Sequence, residues 1–128
     1  MKEKEITVVM VEPGKRPKIT TLKNDLDALQ KAVSIGTDYQ GLIELIGLED
    51  GVDLLCNEEG KLIGLEWNRS IGHDLIAGVF YVVGADGGGN FTSLSEVQQK
   101  KYIEMFWEPE YYSKDDDILE YLLRLFGI

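Results

Sequence analysis

The sequence predicts an α+β domain: a mixed, largely antiparallel sheet of about five or six strands with two or three helices packed on it. Three observations carry that expectation. Short β-branched and apolar runs recur at strand length, connections of hairpin length separate several of them, and helical patterns open with capping signals at Asn24 and at Ser93 or Ser95. A chain of 128 residues, 44% of them hydrophobic, is the size of one domain. Such a chain buries roughly two-thirds of its unfolded surface.

The first strand is residues 5–12, Glu-Ile-Thr-Val-Val-Met-Val-Glu, which is rich in β-branched side chains. Pro13, Gly14 and Pro17 make a turn, and residues 18–22 return as a second strand. A helix follows, with Asn24 as its expected N-cap, Asp25 and Asp27 in its first turn and Gly36 at its end. Leu26, Leu29 and Val33 fall on one face of it. Residues 42–48 and 52–57 read as a hairpin turning at Glu49-Asp50-Gly51, with Val52, Leu54 and Cys56 on one face of the second strand. A turn at Glu58-Glu59-Gly60 leads to the short apolar run at residues 62–65, and residues 66–74 read as a polar, irregular segment. Residues 75–84 are apolar on both alternating faces, which is the pattern of one central strand covered on both sides. A second helix starts at Ser93 or Ser95, both of which fit a capping box, and runs to about Trp107. These elements make residues 1–107 the core domain. Residues 108–128 form an acidic linker and a C-terminal helix, packed on the core or on a partner.

Charge narrows the function. The net charge is −10, from 13 basic and 23 acidic residues. Binding to nucleic acid through phosphates requires a basic stripe, and the three arginines here are scattered, so direct nucleic-acid binding is not expected. Attraction to an anionic membrane is not expected either. The N-terminus alternates charge without the apolar stretch of a signal peptide, and the longest apolar run is too short to span a bilayer. With one cysteine there is no intramolecular disulfide. Together these point to a cytoplasmic protein whose negative charge either serves solubility or attracts a basic protein surface.

Several stretches carry a resemblance: Val11-Glu12-Pro13-Gly14-Lys15, Leu26-Asp27-Ala28-Leu29-Gln30, and above all Cys56-Asn57-Glu58-Glu59-Gly60-Lys61 with Gly64-Leu65 and Asn68-Arg69. With the run from Ile76 to Gly84, the chain resembles a small bacterial domain family that has no assigned activity, found in Gram-positive bacteria, phages and mobile elements. The likeness covers about residues 6 to 106. This chain differs in carrying Glu66-Trp67 where a proline-containing pair is usual, in extra length around residues 34–40, and in its C-terminal helix. The resemblance implies an α+β domain and a mobile-element setting, and no catalytic residue.

The reactive side chains are few. Cys56 sits on an apolar strand face, where a cysteine packs as a small hydrophobe rather than reacting as a thiolate. One histidine and one cysteine cannot build a zinc site of imidazoles and thiolates, and no metal or other cofactor is expected. Asp115-Asp116-Asp117 lacks the alternating ligands of a calcium loop and reads as helix capping. The glycines from Gly84 to Gly89 lack the Gly-Lys-Ser/Thr of a phosphate loop. A ligand site, if there is one, falls among Glu58, Glu59, Asn68, Arg69 and His73. Glu58 and Glu59 supply paired carboxylates, and His73 is a candidate base oriented by Asp74. Asn68 and Arg69 either hold a carboxylate or phosphate or tie their own loop to the backbone. In the C-terminal segment Ile118, Leu119, Leu122 and Phe126 belong to an apolar surface that packs on the core or forms a dimer or partner interface. Two functional expectations follow. One is a non-enzymatic interaction protein, with an acidic decoy for DNA-binding proteins as one version. The other is a small-molecule-binding domain or unfamiliar enzyme, with its site between Glu58 and His73.

Overall fold

A computed structural model describes residues 2–112, 123 and 125–127. The chain is α+β, as the residue patterns predict. The strands are β1 (Glu5–Val11), β2 (Lys18–Lys23), β3 (Ile43–Glu49), β4 (Val52–Asn57), β5 (Trp67–Ile71), β6 (Asp74–Ala77), β7 (Phe80–Ala85) and β8 (Phe91–Thr92). The helices are α1 (Leu26–Ala32) and α2 (Glu96–Met105). The main sheet has the order β2-β1-β7-β4-β3, with β8 added to β7, and every pairing in it is antiparallel. A separate two-stranded sheet pairs β5 with β6.

The sheet is buried on both faces because its central strands are apolar on both. One face carries Val9, Val11, Val52, Leu54, Cys56, Phe80 and Val82, and is covered by Tyr102 and Phe106 of α2 and its cap together with Ile76 of β6. There the Phe80 and Phe106 rings meet edge to face with centroids 5.0 Å apart, a favoured aromatic geometry. The other face carries Ile6, Val8, Leu55, Tyr81 and Val83, and is covered by Leu29 and Val33 of α1 and its cap. The shared face of Val52, Leu54 and Cys56 is the one their alternation predicts.

Several local expectations are corrected. Asp25, not Asn24, caps α1: its Oδ1 accepts from the Ala28 amide at 2.8 Å. Asn24 is buried and donates to the carbonyls of Glu3 (2.8 Å) and Phe91 (3.1 Å), tying the start of β1 to β8. The helix also ends at Ala32, before Gly36, with Val33 as its cap. The short apolar run at residues 62–65 makes turns. The Ile63 amide donates to Glu59 and the Leu65 amide to Gly60, Gly64 takes φ 76°, and Leu62 is 82% exposed.

Residues 66–74, read as irregular, contain β5. The run at residues 75–84 is two strands, β6 and β7, divided at Gly78. That glycine has φ 83°, donates its amide to the Glu66 carbonyl at 2.7 Å, and would place a Cβ 2.8 Å from Leu65 Cδ1. A side chain fits there neither in backbone conformation nor in space. β7 alone is the central strand that the apolar run predicts. The second serine signal resolves at Ser95, whose side chain completes a capping box with Gln98, and α2 ends at Met105 rather than about Trp107. Ser93 instead accepts the Thr7 amide at 2.9 Å, joining the helix approach to β1.

Among the described residues no helix is long and apolar enough to cross a membrane. Of the expected C-terminal helix, Ile118, Leu119 and Leu122 lie outside the described residues, whereas Phe126 is described and is 70% exposed.

Candidate functional site

The β5–β6 hairpin is laid over one face of the main sheet, and that placement buries two polar residues. Asn68 is 0% and Arg69 1% exposed. A buried polar group is tolerated only when its hydrogen bonds are made, and both residues meet that condition within the chain. Asn68 Nδ2 donates to the carbonyls of Val11 and Gly78, each at 2.9 Å, linking the end of β1 to the β6–β7 break. Asn68 Oδ1 accepts from Arg69 Nη1 at 2.8 Å. Arg69 Nε and Nη2 donate to the Phe106 carbonyl at 3.1 and 2.8 Å, and Nη2 also donates to the Lys15 carbonyl at 2.6 Å. The guanidinium thus joins the β1–β2 loop to the C-terminal end of α2, where a cation complements the helix dipole.

Burial lowers the Arg69 pKa, opposed by the nearby Glu110 carboxylate. Glu110 belongs to the same network. Its Oε1 accepts from the Ser70 amide (3.0 Å), the Ser70 hydroxyl (2.8 Å) and the Tyr112 hydroxyl (2.7 Å), fastening the chain beyond α2 to β5. Of the two roles open to Asn68 and Arg69, these bonds are those of the structural one.

The other candidates lie apart from this network. Glu58 and Glu59 are exposed in the turn after β4, where Asn57 Oδ1 accepts the Glu59 amide at 2.9 Å. His73 is exposed in the β5–β6 turn. None of the three is among the hydrogen-bond partners of Arg69. Glu58 instead lines a cleft of about 230 Å³ with Glu44, Cys56, Asn57, Lys61 and Leu62, and Arg69 is not part of its lining. Within it Cys56 Sγ donates to Glu44 Oε1 at 3.6 Å, and Lys61 is held in an ion pair by Asp74. Burial, then the Glu44 carboxylate, push the Cys56 thiol up to about 12. This is the reverse of the electropositive setting that makes a nucleophilic thiolate.

Sequence reasoning missed Glu110 and Ser70. Glu110 sits in an acidic stretch whose composition reads as solvated linker, and nothing local marks one of its carboxylates as a clamp. Asn68 and Arg69 carried a readable signal: an amide and a guanidinium side by side between apolar segments.

The fold and its polar cross-link define a small antiparallel α+β domain in which the most deeply buried polar side chains hold the architecture. No group of three or more His, Cys, Asp or Glu side chains suited to a metal ion occurs among the described residues. The family model described as Domain of unknown function (DUF3846) matches residues 6–107, and the chain belongs to that family. Comparison with curated proteins and with solved structures gives no match.

Proposed function

We propose that this protein acts by binding a basic protein partner through its acidic surface, rather than by catalysis. The observation that carries the reading is how the positive charges are used. Lys15 and Lys18 pair with Glu12, Lys23 with Asp25, Lys31 with Asp27, Lys61 with Asp74 and Lys101 with Glu49. Arg69 is buried, and the Arg16 guanidinium lies 4.6 Å over the Trp107 ring. Such surface pairs add little stability, but they neutralise those cations locally, and of the described lysines only Lys2, Lys4 and Lys100 are left without an ion pair. Asp50, Asp53, Glu58 and Glu59 have no ion pair among the described residues. Glu49, Asp50, Asp53 and Asp86 line one shallow cleft at an end of the sheet. The field seen by an approaching molecule is therefore negative, which steers basic surfaces toward it.

Affinity capture from the source organism's lysate tests this, with the wild type beside an Asp50→Asn/Asp53→Asn/Glu58→Gln variant. A basic protein retained at low salt, released at high salt and lost by the variant is the expected result. A specific partner held equally by the variant at both salt levels would refute the reading. A decoy for DNA-binding proteins is one form of it, and there DNA should displace the captured protein.

A second reading has its own observation. Leu125 and Phe126 are 61% and 70% exposed, so these two apolar side chains are available to a partner or to a second copy. We propose that, with Ile118, Leu119 and Leu122, they form a dimer contact. Light scattering of the full chain should then report a dimer, and Phe126→Asp a monomer. A monomeric wild type at high concentration removes the contact.

A further inference from the structure

The two edges of the main sheet are built differently, and the difference marks one of them as a docking site. Every edge strand offers a row of unpaired backbone N–H and C=O groups, and natural proteins guard such rows with charge, above all lysine. The β2 edge is guarded in this way, with Lys18 and Lys23 exposed at its two ends. The β3 edge has no basic residue. Among the described residues its sequence, Ile-Glu-Leu-Ile-Gly-Leu-Glu, pairs on one side only, with β4. Leu45, two residues into it, is 53% exposed.

A second feature lies opposite Gly47, whose cross-strand partner is Asp53. A Cβ at Gly47 would come 4.0 Å from Asp53 Oδ1. With no side chain at Gly47, nothing on β3 stands opposite the Asp53 carboxylate. Glu44 stands on the same strand, and the ladder slips only beyond Gly47, so the stretch from Ile43 to Gly47 keeps regular pairing.

We propose that β3 receives an extended, basic segment of a partner as an added antiparallel or parallel strand, with a lysine or arginine reaching over Gly47 to Asp53. Backbone hydrogen bonds supply affinity in this mode of recognition, and alternate side chains supply selectivity. Charge complementarity chooses the occupant: a cationic side chain over Gly47 answers Asp53, Glu44 adds negative charge on the opposite face of the strand, and a second copy of this acidic edge would meet like charge. The inference rests on the acidic-surface reading and specifies where the partner lies.

A short blocked peptide of alternating lysine and valine is the probe, beside the same peptide interrupted by a central proline. Hydrogen exchange locates the peptide, and titration calorimetry measures it. Binding should slow exchange of the amides at residues 43–47. The proline peptide, Leu45→Lys and Gly47→Val should each weaken binding by about tenfold or more, the last by placing a side chain opposite Asp53. Equal binding of the two peptides, protection on β2 or nowhere, or protection of β3 by self-association without peptide would each overturn the proposal. Salt-sensitive capture of the partner by Leu45→Lys at wild-type strength would overturn the edge site while leaving the acidic-surface reading in place.

Discussion

Replacing Arg69 with leucine is expected to destabilise the fold by about 3–5 kcal/mol, the cost of leaving three acceptors without their donor at roughly 1–3 kcal/mol each. The leucine fills much of the space but leaves the Phe106 and Lys15 carbonyls and Asn68 Oδ1 without the donor they have in the wild type. Arg69→Lys keeps the charge and loses the planar fork, so one ammonium cannot reach three acceptors that belong to separate segments. It should cost about 2 kcal/mol. Urea denaturation followed by circular dichroism measures both. Because the leucine variant risks not folding, the lysine variant is the decisive one. A loss below about 0.5 kcal/mol, the floor for an ordinary hydrogen bond, would show that the guanidinium does not hold the fold. Arg69 would then be open again as a ligand-binding residue.

Cys56 in the folded protein should alkylate with iodoacetamide about a thousandfold more slowly than an exposed cysteine at the same pH, because the thiolate is the reacting form. The factor follows from a thiol pushed from its ordinary 9.0 to about 12 by burial and by Glu44. Denaturant should restore ordinary reactivity. Fast modification of the native protein would mean that the cleft opens onto the sulfur, and would revive a nucleophilic role.

The same shift makes the fold alkali-sensitive. A group whose folded pKa lies above its unfolded one contributes its full stabilisation below the unfolded value and loses it as pH rises toward the folded one. The window for Cys56 is therefore pH 9 to about 12. Tyr81 adds to it from 10.0 upward, since burial also pushes its hydroxyl to about 12. Urea midpoints should fall across this window, and in Cys56→Val the fall should be shallower and begin nearer pH 10.

The strands legible in the residues are those whose burial is apolar. β1, β4 and β7 are rich in apolar and β-branched side chains, and they fill the two cores. β5 escaped because it is buried through polar atoms. Hydropathy equates inside with apolar, and Asn68 and Arg69 are inside because carbonyls from β1, the β1–β2 loop, the β6–β7 break and the end of α2 converge on them. Helix caps were legible as chemistry and ambiguous as position. Asn24 beside Asp25, and Ser93 beside Ser95, are equally able to cap. The choice fell to distant groups: the carbonyls of Glu3 and Phe91 engage Asn24, and the Thr7 amide engages Ser93. Of the candidate site, the residues Glu58, Glu59, Asn68, Arg69 and His73 were all identifiable as polar and capable. Their separation into a buried network and two exposed turns was not.

Sequence alone determined the α+β class, the two-sided central strand, the apolar face that holds Cys56 and the acidic excess. Each follows from the periodicity or tally of side chains along the chain, which folding leaves unchanged. Only the tertiary structure decided that Gly78 divides the longest apolar run, that Glu110 clamps Ser70, and that β3 lies at an edge of the described sheet. Those outcomes depend on which backbone groups from remote segments meet, and a linear pattern does not encode such meetings.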